Sequence, residues 1–101
     1  MPIKVKFGDF QGHVFATLLD PGNALHRLQK PEDESFRLAN SIDWYGTTVL
    51  KSGDMPEFLK ELDRVLATPP NADDTRFLVF LRELAVRCSR EARFKLEFVG
   101  D

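Results

Sequence analysis

The chain has 101 residues, a formal net charge of −2, 43% hydrophobic residues and 30% charged residues. These values are typical of one globular domain, and they argue against a strongly basic nucleic-acid binder. The single cysteine excludes an intramolecular disulfide, and no apolar run approaches the roughly 18 residues of a membrane span. The N-terminal residues contain no apolar run typical of a signal peptide. We therefore expect one cytoplasmic domain, residues 1–101, with no membrane association and no cofactor.

The first elements along the chain predict a β-hairpin. Residues 3–7 alternate apolar and lysine side chains, which is the pattern of a strand with one face in water. Residues 14–19 are apolar on both faces apart from Thr17, which predicts a strand buried more deeply than the first. The turn at residues 8–12 has two glycines, but it lacks the Lys-Ser/Thr pair of a phosphate-binding loop and precedes a strand.

The pattern from residue 20 to residue 42 is harder to interpret. Residues 20–23 read Asp-Pro-Gly-Asn, which is a strong turn signal. Residues 24–29 fit either a strand or a helix, and residues 36–39 predict the start of a third strand. The acidic run at 32–34 follows a proline and indicates an exposed loop.

The only Trp and the only Tyr are adjacent, in the stretch Asp43-Trp44-Tyr45-Gly46. Asp can accept a hydrogen bond from the backbone two residues on, and Gly tolerates positive φ, so this stretch predicts a turn. The β-prone residues that follow predict a strand at 47–51. We therefore expect a corner whose two aromatic side chains point to opposite sides, with one buried and one partly exposed.

Two helices are predicted, at about 54–67 and 74–90. Asp54 has the chemistry of an N-cap for the first helix, and Pro56 is tolerated in its first turn. The second helix begins with Asp73 and Asp74, which we interpret as caps. The apolar stripe of the first helix is Met55, Phe58, Leu59, Leu62, Val65 and Leu66, and that of the second is Phe77, Leu78, Phe80, Leu81, Leu84, Ala85 and Cys88.

Residues 93–99 alternate strictly and predict a last strand, which must pair with earlier strands to stay ordered. Together these elements predict an α+β fold. We expect an antiparallel or mixed sheet of about four to five strands, including 3–7, 14–19, 47–51 and 93–99, with the two helices packed on one face.

Candidate catalytic and metal-binding residues are few. Cys88 with His13 or His26 could form a nucleophile and base. However, Cys88 lies on an apolar helix face near the C-terminal end, where burial and the helix dipole both raise a thiol pKa. The histidines lack the spacing of metal ligands, so we expect no metal site. A remaining enzymatic or ligand-binding hypothesis places His13, His26 and Asp43 in a cleft beside the 24–42 segment.

Charge is unevenly distributed along the chain. Residues 32–63 contain eight acidic and three basic residues, whereas residues 76–95 contain five Arg and one Lys against two Glu. An acidic face suits a basic protein partner. The Arg-bearing second helix could meet RNA, but the sequence shows no interleaved exposed aromatic residues, so a nucleic-acid partner is disfavoured.

Three short motifs resemble a group of small, largely uncharacterised bacterial proteins. They are Ile42-Asp43, Tyr45-Gly46 with Thr48-Val49, and the C-terminal Phe98-x-Gly100-Asp101. Members of that group commonly read I-D-P-Y-G-x-T-V at the corner and F-I-G-D at the end. Here Trp44 replaces the proline, and Thr47 stands where Asp or Asn is common. Proteins of this kind are similar to the immunity proteins of bacterial toxin systems, which cover a toxin and carry no catalytic machinery.

The sequence thus predicts a non-enzymatic binding protein, and the leading hypothesis is an immunity protein that neutralises a toxin domain by surface complementarity. An alternative is a phage or plasmid inhibitor of a host defence complex, and a monomer or a weak homodimer through an edge strand is expected. The candidate partner-binding residues are Asp43, Trp44, Tyr45, Glu32, Asp33 and Glu34, with Glu57 and Glu61 secondary.

Overall fold

The computed structural model describes residues 3–68 and 70–100, which contain four strands and four helices. The strands are β1 (Lys4–Asp9), β2 (Val14–Leu19), β3 (Thr47–Lys51) and β4 (Phe94–Val99), and the helices are α1 (Ala24–Leu28), α2 (Arg37–Asn40), α3 (Met55–Ala67) and α4 (Ala72–Cys88). Short 3₁₀ turns at Glu34–Phe36 and Ser52–Asp54 precede α2 and α3. The predicted α+β fold is confirmed. None of these helices is both long and apolar enough to cross a bilayer.

The strands form one sheet in the order β2-β1-β4-β3, and all neighbouring pairs are antiparallel. The last strand, β4, therefore lies in the middle of the sheet, where Phe98 is opposite both Val5 and Thr48. Two neighbours hold this strand in place, as its position near the C-terminus requires. The edges of the sheet are β2 and β3.

Only one face of the sheet is covered by helices. The buried side chains on that face are Val5, Phe7, Leu50, Leu96 and Phe98. The opposite face carries half-buried or exposed side chains such as Lys4, Lys6 and Val49, in agreement with the predicted alternation of β1. The packing of helices on one face of an antiparallel sheet explains why β1 and β4 alternate.

The prediction that β2 is buried more deeply than β1 is wrong. Val14, Phe15 and Leu19 are 53%, 47% and 54% exposed. As an edge strand β2 has a neighbour on one side only, so an apolar composition on both faces did not indicate burial here.

The segment from 24 to 42 contains two short helices, α1 and α2, joined by a loop and a 3₁₀ turn. The carboxylate of Asp20 accepts the backbone N–H groups of Ala24 (2.7 Å) and Leu25 (2.9 Å), so it satisfies two of the free donors at the start of α1. The third strand predicted at Phe36–Ala39 is wrong, because this stretch forms a 3₁₀ turn and α2. Its apolar side chains pack into the core as a short helix instead.

The long helices were predicted with small errors at their ends. Asp54 is not a side-chain cap of α3, because its carboxylate accepts the N–H of Lys51 at 3.0 Å. The N-cap of α4 is Asn71, which accepts the N–H of Asp74 at 2.9 Å, so the prediction of Asp73 and Asp74 as caps is wrong.

Three further details of the helices differ from the prediction or lie outside the described residues. Phe80 is 51% exposed and therefore does not belong to the buried stripe of α4. The helix itself ends at Cys88, two residues before the predicted end at Arg90. Pro69, part of the predicted stop after α3, lies outside the described residues.

Candidate functional site

The corner at residues 43–46 is a turn that places its two aromatic side chains in different environments. Tyr45 is 86% exposed, whereas Trp44 is partly buried and packs against the core. The indole Nε1 of Trp44 donates to Oε1 of Gln29 at 2.9 Å. The His26 ring packs edge-to-face with the indole, with 5.0 Å between the two ring centroids. Trp44 is thus the inward residue of the pair, although it is only partly buried, and Tyr45 is the exposed one.

Local hydrogen bonds fix the backbone on both sides of Tyr45. The N–H of Tyr45 donates to Oδ1 of Asp43 at 2.9 Å, which is the turn chemistry expected of aspartate. The N–H of Asp43 in turn donates to the hydroxyl of Thr48 at 2.9 Å. The backbone that carries the exposed phenol is therefore held by hydrogen bonds to two neighbouring side chains.

The end of β4 holds the corner from the other side. The N–H of Gly100 donates to the carbonyl of Gly46 at 2.7 Å. A Cβ atom at Gly100 would lie 2.4 Å from the carbonyl oxygen of Trp44, which is closer than real Cβ contacts come. Only glycine permits this approach of the two backbones.

Gln29 and Asn40 connect the corner to the loop that follows α1. The side-chain amide of Gln29 donates to the carbonyls of Ala39 (3.1 Å) and Ile42 (3.0 Å). The Asn40 side chain accepts the N–H of Lys30 at 2.7 Å and donates to its carbonyl at 2.8 Å. Residues 29–46 are thus one hydrogen-bonded unit, which we call the 29–46 lobe.

The acidic loop lies within this lobe. Asp33 accepts hydrogen bonds from the N–H (2.9 Å) and the hydroxyl (2.6 Å) of Ser35, and these bonds lower the pKa of its carboxyl group. Arg64 of α3 lies 3.4 Å from Asp33. Glu32 and Glu34 are exposed, as expected for a loop, while Asp33 is partly buried.

The two secondary candidates on α3 have different environments. Glu57 is exposed and forms an ion pair with Arg37 at 2.8 Å. Glu61 is only 1% exposed, and its two carboxylate oxygens accept the N–H groups of Leu38 (3.0 Å) and Ala39 (2.8 Å) at the start of α2. Burial raises the pKa of Glu61 above its ordinary value. The expectation that Glu61 lies on a contact surface is wrong, because this side chain holds α2 from inside the core.

Ion pairs partly neutralise residues 32–63, the segment that was expected to form an acidic face. Asp33 pairs with Arg64, Glu57 with Arg37, and Asp63 with Arg82 at 2.7 Å, so three of its carboxylates have cationic partners. The remaining exposed acidic side chains of the 29–46 lobe are Glu32, Glu34 and Asp43. The negative surface is therefore concentrated in that lobe and does not extend along α3.

The alternative site of His13, His26 and Asp43 does not form as one cleft. The imidazole Nδ1 of His13 lies 2.9 Å from Oδ2 of Asp9, which is opposite Phe94 at the start of β4. His26 packs on Trp44 beside the other end of β4. The two histidines therefore lie at opposite ends of the sheet.

Cys88 is fully buried, as predicted. Burial, with a smaller contribution from the charge of Asp54, raises the pKa of its thiol to about 11. Such a thiol is protonated at neutral pH and is a poor nucleophile. Within residues 3–68 and 70–100, no three His, Cys, Asp or Glu side chains lie close enough together to hold a metal ion.

A cleft of about 600 Å³ lies between α1, α3 and α4. Its apolar lining includes Leu28, Phe36, Val65 and Leu78, and the cationic side chains beside it are Arg27, Lys30 and Arg64. Arg27 is fixed by a buried partner, because its Nη2 donates to Oδ1 of Asp74 at 2.6 Å and thereby lowers the pKa of that carboxyl. No local sequence pattern indicated this cleft, since its lining comes from three segments distant in the chain.

Comparisons with family models, curated proteins and solved structures give no match for this chain. The resemblance of the corner motifs to a group of bacterial proteins therefore stays a prediction, and Asp101 of the C-terminal motif lies outside the described residues.

Proposed function

We propose that this chain is a binding protein that docks a protein partner through the 29–46 lobe, with Tyr45 as the central contact. The observation that carries the proposal is a tyrosine that is 86% exposed on a backbone whose N–H groups donate hydrogen bonds to the side chains of Asp43 and Thr48. Tyrosine is over-represented among the residues that dominate interface energetics. A rigid backbone lowers the entropy cost of ordering such a residue on binding.

The charges around Tyr45 favour a basic partner. Asp43 is adjacent to it, and Glu32 and Glu34 are exposed in the same lobe. Complementary potentials speed encounter and orient docking, so a partner with a positive active-site surface fits this lobe best. Toxin domains that cut nucleic acid have such a surface, because their substrate is a polyanion. We therefore propose an immunity protein that covers the substrate-binding surface of a nucleic-acid-cleaving toxin domain.

The test is binding and inhibition assays with the toxin domain encoded beside this gene. A complex should form and should block nucleic-acid cleavage at equimolar concentration. Tyr45→Ala should weaken the complex by about thirtyfold or more, as expected of a dominant interface residue, and should leave the stability of the free chain nearly unchanged.

Phe10→Ala is the matched control. Phe10 is also an exposed aromatic residue, at 54%, but it lies in the hairpin turn at the other end of the sheet from the corner. Equal effects of the two substitutions would show that the lobe is not the contact surface. If none of the toxin domains encoded nearby forms a stable complex, the proposed immunity function is refuted.

The cleft between α1, α3 and α4 favours a second candidate, a small-ligand-binding module. Its apolar floor with Arg27, Lys30 and Arg64 beside it suits an amphipathic carboxylate. Titration with a medium-chain fatty acid, followed by amide NMR shifts, should perturb the residues that line the cleft. Shifts spread evenly over the surface, or none at all, would refute this candidate.

A further inference from the structure

Over Ala16–Leu19 the edge strand β2 lacks the features that normally keep sheet edges apart, and the register shift in its pairing with β1 falls before this stretch, between Phe7 and Gly8 of β1. Its sequence is VFATLL, with no charged residue and no proline, and three of its apolar side chains are about half exposed. Natural edge strands usually carry a lysine, a proline or a covering segment. The other edge, β3, is shorter and ends in the exposed Lys51.

The backbone of β2 offers hydrogen-bonding groups on its open side. The N–H of Asp20, just after β2, donates to the carbonyl of Ile3 at 3.1 Å. Inward and outward groups alternate along an antiparallel strand, so Leu18 and Ala16 also point toward β1. The N–H and C=O groups of Thr17 and Leu19 consequently point away from β1, to the open side of the sheet.

We propose that two copies of this chain form a symmetric dimer in which their β2 strands pair antiparallel around Thr17. With Thr17 opposite Thr17 of the other copy, the outward groups of both residues form a hydrogen-bonded pair. The same register places Ala16 opposite Leu18 of the other copy, and both side chains lie partly buried on the helix-covered face. A small residue faces a large one in each pair, and no like charges meet.

The exposed apolar area along this edge fits a weak dimer. Phe15 still exposes 47% of its surface and Leu19 and Val14 somewhat more. With the strand backbones included, pairing would bury on the order of 1,000 Å² in total, near the lower limit of specific interfaces. We therefore expect a dissociation constant in the micromolar range.

Thr17→Glu tests the pairing without disturbing the single chain. Thr17 is exposed and lies opposite Lys6 of β1, so a glutamate there gains an attractive neighbour within the chain. In the dimer, however, two glutamates would face each other, which should weaken association by about tenfold or more. Thr47→Glu on the opposite edge is the matched control, because Thr47 is also an exposed edge threonine.

Sedimentation velocity over a range of concentrations should show a monomer–dimer equilibrium that Thr17→Glu weakens and Thr47→Glu does not. Mixing Thr17→Glu with Thr17→Lys should restore the dimer, because opposite charges then face each other. Amide hydrogen exchange at Thr17 and Leu19 should slow as the concentration rises. A chain that stays monomeric at millimolar concentration, or a dimer that Thr17→Glu leaves intact, overturns the proposal.

Discussion

Replacing Glu61 by alanine should destabilise the fold strongly, although this residue was expected on a contact surface. Its carboxylate accepts the backbone N–H groups of Leu38 and Ala39, at 3.0 and 2.8 Å, in the core. Alanine would leave both donors buried without a partner. A buried donor that loses its partner costs about 1–3 kcal/mol, so for the two donors we expect a loss of roughly 2–6 kcal/mol in the free energy of unfolding.

Glu57→Ala provides a matched control in the same helix. Glu57 is exposed and pairs with Arg37 on the surface, and an exposed ion pair contributes about 0–1 kcal/mol. Urea denaturation of both variants can be followed by the fluorescence of Trp44, the only Trp in the chain. Equal midpoints for the two variants would refute the role assigned to Glu61.

Hydrogen exchange gives a second readout for the same substitution. If Glu61 holds the start of α2, the amides of Leu38 and Ala39 should lose protection in the alanine variant by more than the global change in stability accounts for. Unchanged local protection in a folded variant would show that α2 is held by its apolar contacts alone.

Four further predictions concern Glu61, Asp74, Cys88 and Gly100. Because burial raises the pKa of Glu61, the stability of the natural chain relative to Glu61→Gln should be greatest below the ordinary glutamate pKa and should fall as pH rises through the raised value. Arg27 lowers the pKa of Asp74, so the stability that Asp74→Asn removes should be present at neutral pH and should disappear on acidification through the lowered value. Urea titrations at several pH values check both signs. Cys88 should react with a thiol reagent only in denaturant, and rapid labelling of the folded chain would contradict its burial. Gly100→Ala should destabilise the fold and alter the fluorescence of Trp44, since the added Cβ meets backbone atoms 2.4–2.8 Å away, and an unchanged spectrum and midpoint would contradict this.

The parts of the fold that local patterns determine were predictable. Strict alternation identified β1 and β4, and the turn chemistry of Asp43 identified the corner, although Gly46 does not take the positive φ expected of it. The order of the strands was not predictable, because the pairing of β4 with β1 depends on contacts between the two ends of the chain. Without the order, an apolar edge strand such as β2 could not be distinguished from a central one.

The burial of Glu61 did leave a signal in the sequence. On a helical wheel Glu61 falls at the edge of the apolar stripe of α3, next to Val65 and Phe58. A carboxylate in that position must find donors or neutralise. The donors come from α2, which had been predicted as a strand, so the partner of Glu61 could not be named beforehand.

The position of the corner in the sheet has a consequence for valency. Tyr45 precedes β3, the edge opposite to β2, so self-association through β2 would leave both phenols free at the two outer margins of an eight-stranded assembly. Seven strand spacings of about 4.8 Å would separate them by roughly 35 Å. Such a dimer could bind two targets at once. A target with two-fold symmetry could contact both corners and would then bind far more tightly than through one corner alone.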